Sequence, residues 1–267
     1  MTRAGEQSVV WGIVPAAGIG SRIQPLAFSK ELLPVGTRLE RGIERPRAVS
    51  EYLVERMIGG GAERLCFVIS TGKSDILEYY GANYGPASAC YVVQPRPEGL
   101  CDALFRALPL IRDQDVLLLG LPDTVWFPSN GFDLLPKGVL SLLLFSVENP
   151  ELFDSVEIDV HGDVQRIRVK EAGAPSEWIW GAFKMPGHVF RELYRLWRER
   201  AVIGQRDEYL GTLINAYIAN GNRVLGVQAG RAYVDVGTMG GYRRAIQLLE
   251  REYGAGNADQ TIRVGVQ

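Results

Sequence analysis

Between Pro15 and Arg22 the chain reads Pro-Ala-Ala-Gly-Ile-Gly-Ser-Arg, directly after an apolar run that begins at Val9. Small residues where a buried strand runs out into a loop leave backbone N–H groups free to approach phosphate oxygens. Glycine supplies the dihedrals, and successive N–H groups form an anion nest. Ala16, Ala17, Gly18 and Gly20 are therefore candidates for phosphate binding. Two cations follow, Arg22 and Lys30. An arginine fork grips two oxygens at once and a lysine adds a mobile point charge, which suits a ligand rich in phosphate oxygens. Farther along, Asp123 follows the apolar run Val116 to Leu119, and Asp235 stands in Tyr-Val-Asp-Val-Gly-Thr from Tyr233. A carboxylate among apolar strand residues is costly unless it meets a cation or several donors. Mg²⁺ takes one or two carboxylates, phosphate oxygens and water, so Asp123 and Asp235 together predict one Mg²⁺ site. The bland alternative makes Asp123 the start of a turn and Asp235 a loop cap.

Two other phosphate-binding motifs fail by counting. A dinucleotide fingerprint needs a third glycine at position 23, which is Ile23. Thr71-Gly72-Lys73-Ser74 imitates the end of a P-loop, but the first glycine of that motif falls on Phe67. Lys73 is accordingly expected to be a solvated residue near a helix start.

The first loop continues as Arg22-x-x-Pro25-x-x-x-x-Lys30-x-Leu32-Leu33-Pro34-Val35. With that continuation the chain resembles the sugar-1-phosphate nucleotidyltransferases, and among them the glucose-1-phosphate thymidylyltransferases. These open with Ala-Ala-Gly-x-Gly-x-Arg-x-x-Pro, followed by a lysine and Leu-Pro-Val. The resemblance extends over nearly the whole chain, and it implies that Arg22 and Lys30 contact the triphosphate. Gln94-Pro95-x-x-x-Gly99-Leu100 is similar to the segment in which a glutamine and a glycine backbone bind a pyrimidine. A side-chain amide offers donor and acceptor together, which suits thymine or uracil and implies dTTP or UTP. Asp235-x-Gly237-Thr238 matches closely, whereas Leu121-Pro122-Asp123 replaces the usual Gly-Asp.

The acceptor side is implied to comprise Asp154, Lys170, Glu171 and Gly181, with Lys170 touching the acceptor's phosphate. Here the chain departs from the pattern. Val169 stands where the family has a glutamate that binds sugar hydroxyls, Glu171 where it has proline, and Phe153-Asp154 where it has tyrosine and glycine. Asp154 or Glu171 is a candidate substitute carboxylate. The implied reaction is in-line attack by an acceptor phosphate oxygen on the α-phosphorus, with pyrophosphate leaving and no protein nucleophile. Two alternatives stay open: a cytidylyltransferase acting on a non-sugar phosphate or phosphonate, and a homologue that binds sugar nucleotides without catalysis.

These residues need a scaffold that delivers them to one edge. The first half alternates strands, at Val9 to Pro15, Leu65 to Ser70, Cys90 to Gln94 and Asp115 to Gly120, with helices at Ser50 to Ile58, Ser74 to Tyr80 and Gly99 to Leu108. Such alternation predicts an α/β fold, a Rossmann-like mixed and mainly parallel sheet flanked by helices, with ligands beyond the strands' carboxyl ends. The resemblance makes it the nucleotide-diphospho-sugar transferase type. In the second half, strands at Val139 to Val147, Ser155 to Ile158, Val164 to Val169 and Trp178 to Lys184 are expected to build a small β lid. Helices at Val189 to Glu199 and Tyr209 to Asn220, strands at Arg223 to Val227 and Ala232 to Val236, and a helix from Gly240 to Tyr253 complete it, with a frayed tail after Gly254. One domain over 1-267 is expected, with 9-135 as the nucleotide-binding half and 136-253 as the acceptor half.

Composition agrees with a globular enzyme. Of 267 residues, 46% are hydrophobic and 22% charged, with a net charge of -2, so no basic surface invites nucleic acid. Cys66, Cys90 and Cys101 lack the paired spacing of a zinc or redox site and are expected to be free thiols in a reducing cytoplasm. No apolar run approaches the roughly 20 residues that span a bilayer, so neither export nor anchoring is expected. The expected partners are a nucleoside triphosphate and a phosphorylated small molecule, and the resemblance implies that homo-oligomers are common.

Overall fold

Runs such as Leu117-Leu118-Leu119 have no polar face to offer solvent, and they become central strands covered by helices on both sides. The computed structural model describes residues 7–171, 173, 175–200 and 208–254. The strands in chain order are β1 (Val10–Pro15), β2 (Pro34–Glu40), β3 (Ile43–Ala48), β4 (Arg64–Ser70), β5 (Asn83–Tyr84), β6 (Ala87–Gln94) and β7 (Val116–Gly120). They continue with β8 (Thr124–Phe127), β9 (Leu140–Ser146), β10 (Asp154–Ile158), β11 (Val164–Val169), β12 (Trp178–Pro186), β13 (Val224–Gly230) and β14 (Ala232–Asp235). The helices are α1 (Val49–Gly59), α2 (Ser74–Tyr80), α3 (Leu100–Phe105), α4 (Gly187–Arg200), α5 (Leu210–Ala219) and α6 (Met239–Gly254).

The main sheet runs β11-β10-β12-β7-β1-β4-β6-β5, with β9 beside β12 and β13 beside β9. Strands β7, β1, β4 and β6 are parallel, Ile13 pairing with Cys66 on one side and Leu119 on the other. Their carboxyl ends therefore share one edge. The loops after Pro15, Ser70, Gln94 and Gly120 gather there, as the alternation predicts. One face packs Ile13, Leu117 and Leu119 against Phe105, Phe190 and Leu213 from α3, α4 and α5. The other packs Val14 and Leu118 against Leu53 and Met57 from α1 and Trp126 from β8. Burying each such side chain contributes about 1.5–3 kcal/mol.

Several elements depart from the expected pattern. The charged hairpin β2–β3 has no apolar face to betray it; Arg38, paired with Arg45 near its turn, reaches Glu51 of α1 at 2.7 Å. The helix expected to run to Leu108 stops at Phe105, and a 3-10 turn containing Pro109 follows, since proline removes the N–H a helix would need. Strand β14 does not join the main sheet. It pairs antiparallel with β8, a short and wholly buried strand that reads as part of the loop after Asp123. Hairpin β10–β11 extends the main sheet at its edge, turning at Gly162 with φ of 81°. All three cysteines are free, two buried and Cys90 half-buried. Among the described residues no helix is long and apolar enough to cross a membrane. The tail after Gly254 lies outside the described residues.

Candidate active site

The loop after β1 is anchored where it starts, Ala16 N–H donating to Val68 O of β4 at 2.8 Å, and it turns at Gly20, whose carbonyl accepts from Ile23 N–H at 3.1 Å. Gly20 has φ of 69°, and a Cβ there would stand 2.5 Å from Lys30 Cδ. Glycine is thus required twice, for the dihedral and for the lysine stem passing beneath it. Lys30 begins a 3-10 turn, and its Nζ donates to Asp123 Oδ2 at 2.5 Å. Burial is the strongest influence on both groups, yet it is outweighed. The neighbouring carboxylates, Asp123 first, hold the Lys30 ammonium above its usual range, and Lys30 holds the Asp123 carboxyl below its own.

Pairing of β8 with β14 brings the two aspartates together. Asp235 stands opposite Thr124, and Val236 N–H donates to Asp123 O at 2.8 Å. Asp235 Oδ1 accepts from Gly237 N–H at 2.6 Å and Oδ2 from Arg22 Nη2 at 3.1 Å, and its charge is felt at Lys30. Residues far apart in the chain thus make one cluster of two carboxylates and two cations. Among the described residues no three His, Cys, Asp or Glu side chains gather as a metal cage. Two hard carboxylates still fit Mg²⁺, which completes its shell with phosphate oxygens and water.

Lys73 corrects the expectation of a solvated lysine. It is 8% exposed, and its Nζ donates to both Glu31 oxygens, at 2.8 and 2.7 Å, and to Ala16 O at 2.7 Å. It ties the start of the phosphate loop to the turn that carries Lys30. Glu31 does not stand out in the sequence and Lys73 does so only by imitating a P-loop, because each matters only through the other.

Gln94 ends β6 and is 2% exposed, so it is not a solvated loop residue. Its Nε2 donates to Gly99 O at 3.0 Å and to Asp102 Oδ2 at 2.8 Å. Gly99 precedes α3 with φ of 121°, a conformation that favours glycine.

On the acceptor side, Asp154 faces Val169 across the β10–β11 ladder. A Cβ on Gly211 of α5 would touch both side chains, which therefore share a face. Burial raises the Asp154 carboxyl, and Lys170 pulls it back in part. Asp154 Oδ1 and Trp180 Nε1 are both buried without a hydrogen-bond partner among the described residues; the indole comes near enough to draw on the carboxyl without bonding. Lys170 has φ of 49° and places its Nζ 4.9 Å from the centre of the Tyr209 ring. Glu171 does not join this group. It is exposed and turns to Arg168 at 2.8 Å. Gly181 sits at a bulge in β12, where a Cβ would meet Phe145 at 2.5 Å and Tyr233 at 2.8 Å. The Tyr233 phenol, pushed well up by burial, also feels Asp235, Asp123 and Asp154, so one side chain senses both the aspartate pair and the candidate carboxylate of the acceptor side.

The family model described as nucleotidyl transferase matches residues 11–252. The chain belongs to the nucleotidyl transferase family. It is 25% identical over 235 residues to the low-salt glycan biosynthesis nucleotidyltransferase Agl11 of Haloferax volcanii, covering 79% of this chain and 60% of that protein. It is 26% identical over 176 residues to a glucose-1-phosphate thymidylyltransferase of Neisseria meningitidis, covering 62% and 58%. It thus spans less than two thirds of the length of these two curated relatives. A Methanocaldococcus jannaschii protein provisionally named UTP–glucose-1-phosphate uridylyltransferase is 32% identical over 220 residues, covering 68% of this chain and 74% of that one. Among solved structures, a UTP-bound UGPase from Acinetobacter baumannii superposes with a TM-score of 0.74 at 18% identity, covering 92% of this chain and 95% of the other. At that identity the likeness shows the fold, which is that of family nucleotidyltransferases.

Proposed function

We propose that this chain transfers a nucleoside monophosphate from UTP or dTTP to a sugar 1-phosphate and releases pyrophosphate. The observation that carries the reading is the meeting of Asp123 and Asp235 beside Lys30 and Arg22, at the edge where the glycine loop ends β1. An acceptor phosphate oxygen attacks the α-phosphorus as the bond to the bridging oxygen of the β-phosphate breaks. The attacking oxygen is already anionic, so alignment and charge neutralisation are what the protein must supply. Arg22 and Lys30 answer the charge that develops on pyrophosphate, Lys170 the acceptor phosphate. Asp123 and Asp235 would hold Mg²⁺, which supplies charge neutralisation and orientation of phosphate oxygens when bound. Ala16, Ala17, Gly18 and Gly20 offer the backbone to the phosphates, and Gln94 with Gly99 reads the base.

Residues 9–135 act as the nucleotide half, and 136–253 bring the acceptor residues and the second carboxylate. Asp154, rather than Glu171, is the acceptor carboxylate, because it lies cross-strand from Val169 and carries an unpartnered buried oxygen. The Trp180 indole N–H, likewise unpartnered, lies near enough to act on the same carboxyl, and a hydroxyl group can donate to the one and accept from the other. The three free cysteines suit a reducing cytoplasm.

The test is pyrophosphate release with Mg²⁺, each nucleoside triphosphate in turn, and a panel of sugar 1-phosphates and phosphonates. Turnover with UTP or dTTP and a sugar 1-phosphate is expected. Turnover with CTP alone would overturn the base assignment, and silence alongside tight nucleotide binding would favour a non-catalytic homologue.

A further inference from the structure

The Gln94 amide is held by two groups that only accept. Its Nε2 donates to the Gly99 carbonyl and to the Asp102 carboxylate, and neither has a proton to return. Turning the amide over would set Oε1 against two oxygens, so one orientation is fixed whatever the base. Asp102 is itself clamped by Arg106, from Nε at 3.2 Å and Nη2 at 2.9 Å. With Gln94 2% and Asp102 8% exposed, water competes poorly for these bonds. What Gln94 has left to offer is Oε1, which accepts no hydrogen bond among the described residues.

We propose that Asp102 sets the pyrimidine choice of the site: by drawing the Gln94 NH₂ group inward it leaves only a carbonyl oxygen for the base, which accepts N3–H of uracil or thymine and opposes the bare N3 of cytosine. This rests on the nucleotidyl-transfer reading and on Gln94 facing the base. Asp102 makes no contact with the base in this account; it is a positioning residue acting through Gln94. A wrong base would leave two acceptors facing each other in a buried setting, the arrangement that discriminates most strongly.

Asp102→Asn is the informative variant, since asparagine can donate from its own amide to Gln94 Oε1 and so permits the reversed orientation. Asp102→Ala serves as the second variant, removing the anchor without adding a donor. Binding of Mg²⁺–UTP and Mg²⁺–CTP is measured by calorimetry, which needs no acceptor, and kcat/KM for both nucleotides is measured with a sugar 1-phosphate. The wild type is expected to bind UTP at least tenfold more tightly than CTP or N3-methyl-UTP, which lacks the N3 proton. The UTP to CTP preference is expected to fall at least fivefold in Asp102→Asn. A smaller fall in both variants, or a wild type that does not discriminate, would overturn the proposal. A merely structural role for Asp102 would weaken both nucleotides alike and leave the ratio in place. A wild type that prefers UTP in binding but turns over nothing would sink the transferase reading alone.

Discussion

Lys30 Nζ and Asp123 Oδ2 stand 2.5 Å apart, so the cation assigned to the leaving group and a carboxylate assigned to the metal begin as each other's counterion. Asp123 would hold a divalent ion through the carboxylate that Lys30 now contacts, and the Lys30 ammonium would then be left to answer phosphate charge. Lys30→Met and Asp123→Asn are each expected to lower kcat by about 10²–10³, the loss typical of removing one preorganised charge partner. The pH dependence follows from the two shifts. Asp123 is depressed below 3.8, so its contribution to stability is complete above 3.8 and lost only as pH falls through the lowered value. Lys30 is raised above 10.5, so its contribution is complete below 10.5 and lost as pH rises past the raised value. The pair therefore gives no slope in stability between those limits, and a stability difference between wild type and Asp123→Asn that changes with pH inside that range would contradict the linkage.

Lys73 and Glu31 are a different kind of ion pair. Burial pushes the Glu31 carboxyl up and the Lys73 amine down, each against its partner's attraction, so desolvation outweighs the mutual gain. Lys73→Met would strand a carboxylate that is 1% exposed and is expected to cost about 3–5 kcal/mol in chemical denaturation. Glu31→Gln/Lys73→Met removes both charges and is expected to recover most of that stability. It should nevertheless keep a raised KM for the triphosphate, because the tether to Ala16 O is gone. Recovery of stability and KM together would show the pair to be structural only.

Gly20 couples the loop backbone to the Lys30 stem. Gly20→Ala places a residue at φ of 69°, costing about 1–2 kcal/mol, and drives its Cβ to 2.5 Å from Lys30 Cδ. The stem can move, so the fold should survive with a melting shift of about 2–4 °C per kcal/mol. Displacement of Lys30 is expected to lower kcat more than tenfold. Normal turnover in a protein that has lost only stability would detach Gly20 from the lysine.

These residues differ in how visible they were. Gly20, Asp123 and Asp235 sit at or just past strand ends, where local chemistry suffices to name them, and Lys30 sits at an offset that the family resemblance marks. Lys73 looked solvated because its burial is decided by Glu31, 42 residues away. Nothing singles out Asp102 within the helix expected from Gly99 to Leu108, since only the fold turns it toward Gln94. Asp123 and Asp235 were legible as acidic residues at strand ends, but β8 and its pairing with β14 in a separate sheet were not, because period and propensity do not encode partners. The hairpin β2–β3 was missed because its arginines and glutamates mask the alternation that marks a strand.

On the acceptor side the choice between Asp154 and Glu171 is open to a paired experiment. Glu171 is exposed and engaged with Arg168, so Glu171→Gln is expected to leave the acceptor KM within about twofold, as exposed ion pairs contribute little. Asp154 has a buried, unpartnered Oδ1 next to an unpartnered indole N–H. Asp154→Asn keeps the shape but turns part of the acceptor surface into a donor, and is expected to raise the acceptor KM by tenfold or more with the triphosphate KM unchanged. Acidity supplies an independent check. Burial holds the Asp154 carboxyl above 3.8, so on acidification it protonates sooner than an ordinary aspartate. Acceptor KM in the wild type should then rise on the acid side while that of Asp154→Asn stays level. Parallel profiles for the two proteins would assign the acceptor's recognition elsewhere.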